Sequence, residues 1–141
     1  MANYIGVFRS NYFQVTDEEK FKGIVSRMSS GEGPVTLFTE RAPYYGFGGD
    51  GSLSGVVSED DAESDFPEAD FDLMVQELQD ILPDDEAIII MSAGHEKFRY
   101  VSGWTCIITK DGYDYIDMTE SAKEKAKELL KNEDWDTLCE Y

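Results

Sequence analysis

From Ala42 to Glu96 the chain contains no lysine and no arginine. A stretch without a base cannot clamp phosphates, so direct nucleic-acid and anionic-lipid binding are excluded for it. Histidine is nearly absent as well. His95, in Gly94-His95-Glu96, is the single one, and without a paired nucleophile it reads as a turn residue rather than a catalytic base. Cys106 and Cys139 are too few for a disulfide framework and, with one histidine, for a zinc site. Cys106 lies in an apolar run and reads as a core thiol. No apolar run approaches the length needed to cross a bilayer. The start, Met1-Ala-Asn-Tyr-Ile-Gly, has neither the basic region nor the apolar stretch of a signal peptide. The expectation is a cytoplasmic protein with reduced thiols that needs no cofactor and is not an enzyme.

What the chain has instead is acid. Thirty carboxylates against twelve Lys and Arg give a net charge of −18 over 141 residues. Fifteen of those carboxylates fall between Ala42 and Glu96, while the flanking segments are close to balance. Hydrophobic residues still make up 41% and aromatics 13%. That content is enough for a folded core and too high for an acidic disordered chain.

The pattern along the chain is that of an α+β protein. Tyr4–Val15 is rich in β-formers and reads as a strand interrupted near Arg9-Ser10-Asn11. Thr16-Asp-Glu-Glu19 is a capping box, with Thr16 as N-cap. Phe21, Ile24, Val25 and Met28 then mark one helical face, and Ser29–Pro34 stops that helix. Val35–Thr39 alternates as a strand. The glycines at 46, 48, 49, 51 and 55 suggest a loop or tight hairpin between short strands at 44–47 and 53–57. Residues 58–70 read as an exposed acidic loop. Asp70 caps a helix over 71–82, which Pro83 ends. Glu86–Ala93 has the continuous apolar run of a strand buried on both faces. Lys97–Thr109 and Tyr113–Ile116 form a hairpin about Lys110-Asp-Gly, with Gly103 marking a bulge or a close approach. A last helix begins at Asp117 or Thr119 and runs to Lys131, with Ala122, Ala126, Leu129 and Leu130 facing inward. Trp135, Leu138 and Tyr141 would dock the acidic tail 132–141. The expectation is therefore a single domain, 1–141, with an antiparallel or mixed sheet of about five to six strands and two to three helices on one face.

Two motifs suggest ligands. Gly46-Phe-Gly-Gly-Asp-Gly51 matches G-x-G-x-x-G, but no helix follows it and the charges beyond it are negative. Asp50–Asp61 partly matches an EF-hand loop, yet positions 3 and 5 lack carboxylates and no helix enters it. It stands as an alternative reading, a Ca²⁺-binding module; no residue is assigned as a metal ligand.

The charge itself is the stronger feature. Duplex DNA carries one negative charge per about 1.7 Å of axis, and a surface crowded with carboxylates can resemble it. The candidate partner-binding residues are Glu59, Asp60, Asp61, Glu63, Asp65, Glu68, Asp70, Asp72, Glu77, Asp80, Asp84 and Asp85. Tyr44, Tyr45, Phe47, Phe66 and Phe71 interleave with them as potential apolar anchors.

Two local blocks, Asn11-Tyr12-Phe13-x-Val15-x-Asp17-Glu18-x-x-Phe21 and Glu96-Lys97-Phe98-Arg99-Tyr100-Val101-x-Gly103, together resemble a family of small acidic proteins of bacterial mobile elements. The size and charge are similar to DNA-mimic anti-restriction and anti-CRISPR inhibitors. The resemblance carries no catalytic residue. It implies a binding protein whose partner is the basic surface of a nucleic-acid-binding enzyme, with a homodimer admitted. An immunity protein for a basic toxin is the alternative within the binding class. Lys97 and Arg99, the first bases after the long gap, are expected to be structural, pairing with Glu96 or anchoring the acidic loop.

Overall fold

In the computed structural model, residues 4–139 are described. Alternation of apolar and polar side chains sets the first strand, β1 (Ile5–Ser10), whose Phe8 and Ser10 point inward while Ile5 and Val7 point out. The chain then leaves the ladder at Asn11. Its side-chain amide replaces the missing ladder bonds, donating to the Ala87 carbonyl at 3.1 Å and accepting from the Ile89 N–H at 2.8 Å. Helix α1 (Glu18–Ser26) starts one residue later than the capping box suggested. Asp17, not Thr16, caps it, accepting from the Lys20 N–H at 3.0 Å. Phe21, Ile24 and Val25 form its buried face as expected.

The segment read as a helix stop forms a strand, β2 (Met28–Gly31), followed by β3 (Thr36–Arg41). The largest departure is β4 (Tyr44–Val57), one continuous strand of 14 residues where the glycines suggested a loop. Its first half lies between β1 and β3 and its second half between β2 and β5 (Ala69–Asp70). The glycines are there because neighbours approach closely. Phe38 lies over Gly46 and Gly48, and a Cβ at Gly55 would collide with the backbone of Asp70 and Phe71. Helix α2 (Phe71–Gln79) has Asp70 as its N-cap, accepting from the Leu73 N–H at 3.1 Å. It buries Met74, Val75 and Leu78, and the exit residues Ile81 and Leu82 complete that face.

Strands β6 (Ala87–Glu96), β7 (Tyr100–Thr109) and β8 (Gly112–Asp117) finish the sheet, and α3 (Met118–Leu130) follows. The sheet has eight strands rather than five or six, paired antiparallel throughout. Its order is β2-β4-β1-β6-β7-β8, with β3 and β5 on β4. The undercount came from β2 and the two-residue β5, both too short and too polar to show a period. The class is α+β.

The three helices do not share one face. α1 and α2 cover the side on which Phe8, Phe47, Ile88, Ile90, Cys106 and Ile108 are buried. α3 packs chiefly on β7 and β8, and its Met118 lies against Gly103 on the opposite side. Gly103 is thus a close approach, not a bulge, since the β6–β7 register runs unbroken through it. The expectation that Ala122, Ala126, Leu129 and Leu130 pack inside is overturned: α3 has no buried residue, and Leu129 is 85% exposed. β6 is likewise not buried on both faces. Ile88 and Ile90 are in the core, whereas Met91 is 59% exposed. No helix among the described residues is long and apolar enough to cross a membrane. Tyr141 lies outside the described residues. Trp135 is half-buried, and Asp136 pairs with Lys123 at 3.2 Å to hold the tail on α3.

Candidate protein-binding face

The acidic residues are positioned by two elements that a single arginine joins. After β4 the chain turns repeatedly, with the Asp61 N–H donating to the Ser58 carbonyl at 3.1 Å and the Ser64 N–H to that of Asp61 at 3.0 Å. Glu59, Asp60, Asp61, Glu63, Asp65 and Glu68 are all exposed on this run. The chain then enters β5 and α2. Asp70 and Asp72 sit at the positive end of α2, where a carboxylate is favoured. Asp80 is at its C-cap, and Asp84 and Asp85 follow the exit.

Arg27, just past α1, ties these parts together. Its guanidinium donates to both oxygens of Glu77, at 2.6 and 3.1 Å, and to the Val57 carbonyl at 2.9 Å. Glu59 Oε1 lies 3.9 Å from the same group. The Val57 N–H in turn donates to the Arg27 carbonyl at 2.9 Å. The Glu77 hydrogen bond raises the Arg27 pKa further above its ordinary value, opposed by desolvation. The start of the acidic loop is therefore fixed to the last turn of α2. Glu77 is committed to this clasp, and Asp84 pairs with Lys110 at 3.1 Å. Arg27 had no signal in the linear sequence, because its partners lie 30 and 50 residues downstream.

Of the predicted bases, Arg99 pairs with Glu96 at 3.4 Å, at the β6–β7 turn. Lys97 occupies the left-handed region at φ 48° in that turn and is exposed. Neither position is on the acidic loop, so the anchoring expected of them belongs to Arg27.

The aromatic anchors divide. Phe66 is 88% exposed on the loop, and Tyr44 is about half exposed. Tyr45 and Phe47 are core residues and present nothing to a partner. Phe71 is half-buried against Trp104 and Tyr115, each at 6.1 Å between ring centroids. The last two are aromatics the linear pattern did not connect to the acid. With Leu53 and Asp117 these rings border a groove of about 400 Å³ beside Asp72.

The other candidate motifs have different settings. Asp50–Val57, the first two-thirds of the EF-hand match, is extended strand and cannot wrap ligands around a cation. No group of three His, Cys, Asp or Glu among the described residues is arranged to hold a metal ion. The G-x-G-x-x-G match lies mid-strand in β4. Cys106 is fully buried, and burial pushes its thiol up to about 11. His95 is exposed on β6, across from Ile5 and Val101. A scan of family models, a search of curated proteins and a search of solved structures each returned no match.

Proposed function

We propose that this chain is an acidic binding protein that occupies the basic groove of a bacterial nucleic-acid-binding defence enzyme, in the manner of anti-restriction and anti-CRISPR inhibitors. The carboxylates of residues 59–85 stand in for backbone phosphates. The observation carrying this reading is that eleven of the twelve candidate carboxylates are exposed, all but Glu77, on a loop and helix joined by one partly buried arginine. Phosphate-like charge needs a framework, because a free acidic tail loses chain entropy on docking. Helix α2 spans only about 14 Å at 1.5 Å per residue, so its acids and the loop's form a compact patch. Phe66 and the Phe71 groove provide contacts that charge alone lacks. The likeness of the 11–21 and 96–103 blocks to mobile-element proteins fits the same setting.

The test is calorimetry against purified restriction and CRISPR effector complexes at low and high salt, with duplex DNA as competitor. Binding is expected to be mutually exclusive with DNA and to weaken steeply as salt rises. Reversing Asp60, Asp61, Asp65 and Asp72 to Lys, leaving the capping Asp70 intact, should abolish it. Binding that survives the four reversals would sink the proposal.

A further inference from the structure

We infer that the open face of the sheet, opposite α1 and α2, is the interface between two copies of this chain. Strand alternation puts Ile5 and Val7 of β1, Met91 and Ala93 of β6, Val101 and Thr105 of β7 and Ile116 of β8 on that face. The register makes them neighbours: Val7 opposes Ala93, Met91 opposes Thr105, and Thr105 opposes Ile116. Val7, Met91, Ala93, Thr105 and Ile116, with Met118 of α3, line a shallow trough of about 530 Å³. Ile5, Val7, Met91, Val101, Ile116 and Met118 are each about half exposed or more. Large apolar side chains exposed side by side on one face mark an interaction surface, whereas singly scattered ones do not.

Charge selects the occupant. On this face of β1, β6, β7 and β8 the ionisable side chains are Arg9, His95 and Asp114, and the neighbouring strand adds Asp50 at the margin. A molecule of net charge −18 thus has one broad face of near-neutral charge, and it is the apolar one. A basic partner would gain nothing there; a second copy would. Helix α3 borders this face over β7 and β8, while α2 and the acidic residues at its ends lie on the other side of the sheet, so the densest charge of each copy faces away from its partner. The repulsion left between two molecules of net charge −18 is long-ranged at low salt and is screened as salt rises.

This gives the dimer a salt dependence opposite to that of partner binding. Sedimentation velocity from about 1 to 200 µM protein should show self-association that tightens roughly tenfold between about 10 and 150 mM NaCl, as the repulsion is screened. Val7→Glu and Met91→Glu should each leave a folded monomer with an unchanged circular dichroism spectrum, since both positions are exposed, and a melting temperature that no longer rises with protein concentration. The four Lys reversals that abolish partner binding should leave the dimer intact, so failure of one reading is distinguishable from failure of the other. A monomer at the highest concentration in 150 mM NaCl overturns the inference. So does a dimer that Met91→Glu does not disturb, and so does one that weakens as salt rises, which would place the contact elsewhere.

Discussion

Arg27→Ala should be the most damaging single substitution near the acidic face. The guanidinium and Glu77 side chains are only 13% and 20% exposed. Removing one partner leaves a carboxylate poorly solvated and surrounded by like charge, with Glu59 close by. Breaking a buried pair costs about 3–5 kcal/mol. Partial exposure lowers that figure, and the lost bond to the Val57 carbonyl adds about 1 kcal/mol. A net loss of about 3 kcal/mol corresponds to a fall of about 10 °C in melting temperature for a domain of this size. Glu77→Gln keeps a neutral acceptor and should cost less. Because the two act together, the Arg27→Ala/Glu77→Ala pair should lose about 1–2 kcal/mol less than the sum of the single variants. Glutamyl endopeptidase reads the loop directly, and cleavage after Glu59 and Glu63 should accelerate in Arg27→Ala. A melting temperature within about 2 °C of the parent, with unchanged cleavage, would refute the assignment of Arg27 as the clasp.

Other outcomes follow from the same geometry. Cys106 is neutral in the fold with its pKa raised to about 11, so its contribution is complete below the ordinary thiol value near 9 and is lost as pH climbs from 9 to 11. Cys106 should account for roughly 2–3 kcal/mol of the loss that denaturant titrations show over that window, and Cys106→Ala should reduce the loss without abolishing it, since Tyr12, Tyr45, Tyr100 and Tyr115 are also raised. A thiol reagent should label Cys139 at once and Cys106 only after unfolding, the first being exposed and the second buried. Gly55→Ala should destabilise by about 2–4 kcal/mol, because φ is +127° and the added carbon meets the Asp70 backbone; denaturant unfolding measures it. Asp117→Ala removes the acceptor for the Glu120 N–H. Since α3 buries nothing, about 1 kcal/mol of cap loss should appear as faster hydrogen exchange over 118–130 with little change in melting temperature.

The helices were the readable part of this chain. Phe21, Ile24 and Val25 keep helical spacing, and Asp70 caps α2 through the bond its position suggests, because both signals are local. β4 was misread because a glycine's reason for being there is non-local. Gly46 and Gly48 yield to Phe38 of another strand and Gly55 to the backbone of β5, and the same letters would also make a turn. The Ile88–Met91 run misled in the other direction. An unbroken apolar run looks buried on both sides, and only the missing outer layer shows that Met91 faces outward. The acidic residues themselves were legible as a list. Their joining through Arg27, and the retirement of Tyr45 and Phe47 into the core, depend on contacts tens of residues apart.

The position of β1 bears on how the protein is made. It is synthesised before both of its neighbours, yet it lies between β4 and β6, with Val7 paired to Asp50 on one side and to Ala93 on the other. At about 5–20 residues per second, the second neighbour emerges several seconds after β1. Until then one edge of a central strand is bare, the situation that invites pairing with another nascent chain. The segment translated during that wait is the acidic one, residues 58–86. Like charge on that segment repels between neighbouring nascent chains, and so opposes such pairing while the sheet is incomplete.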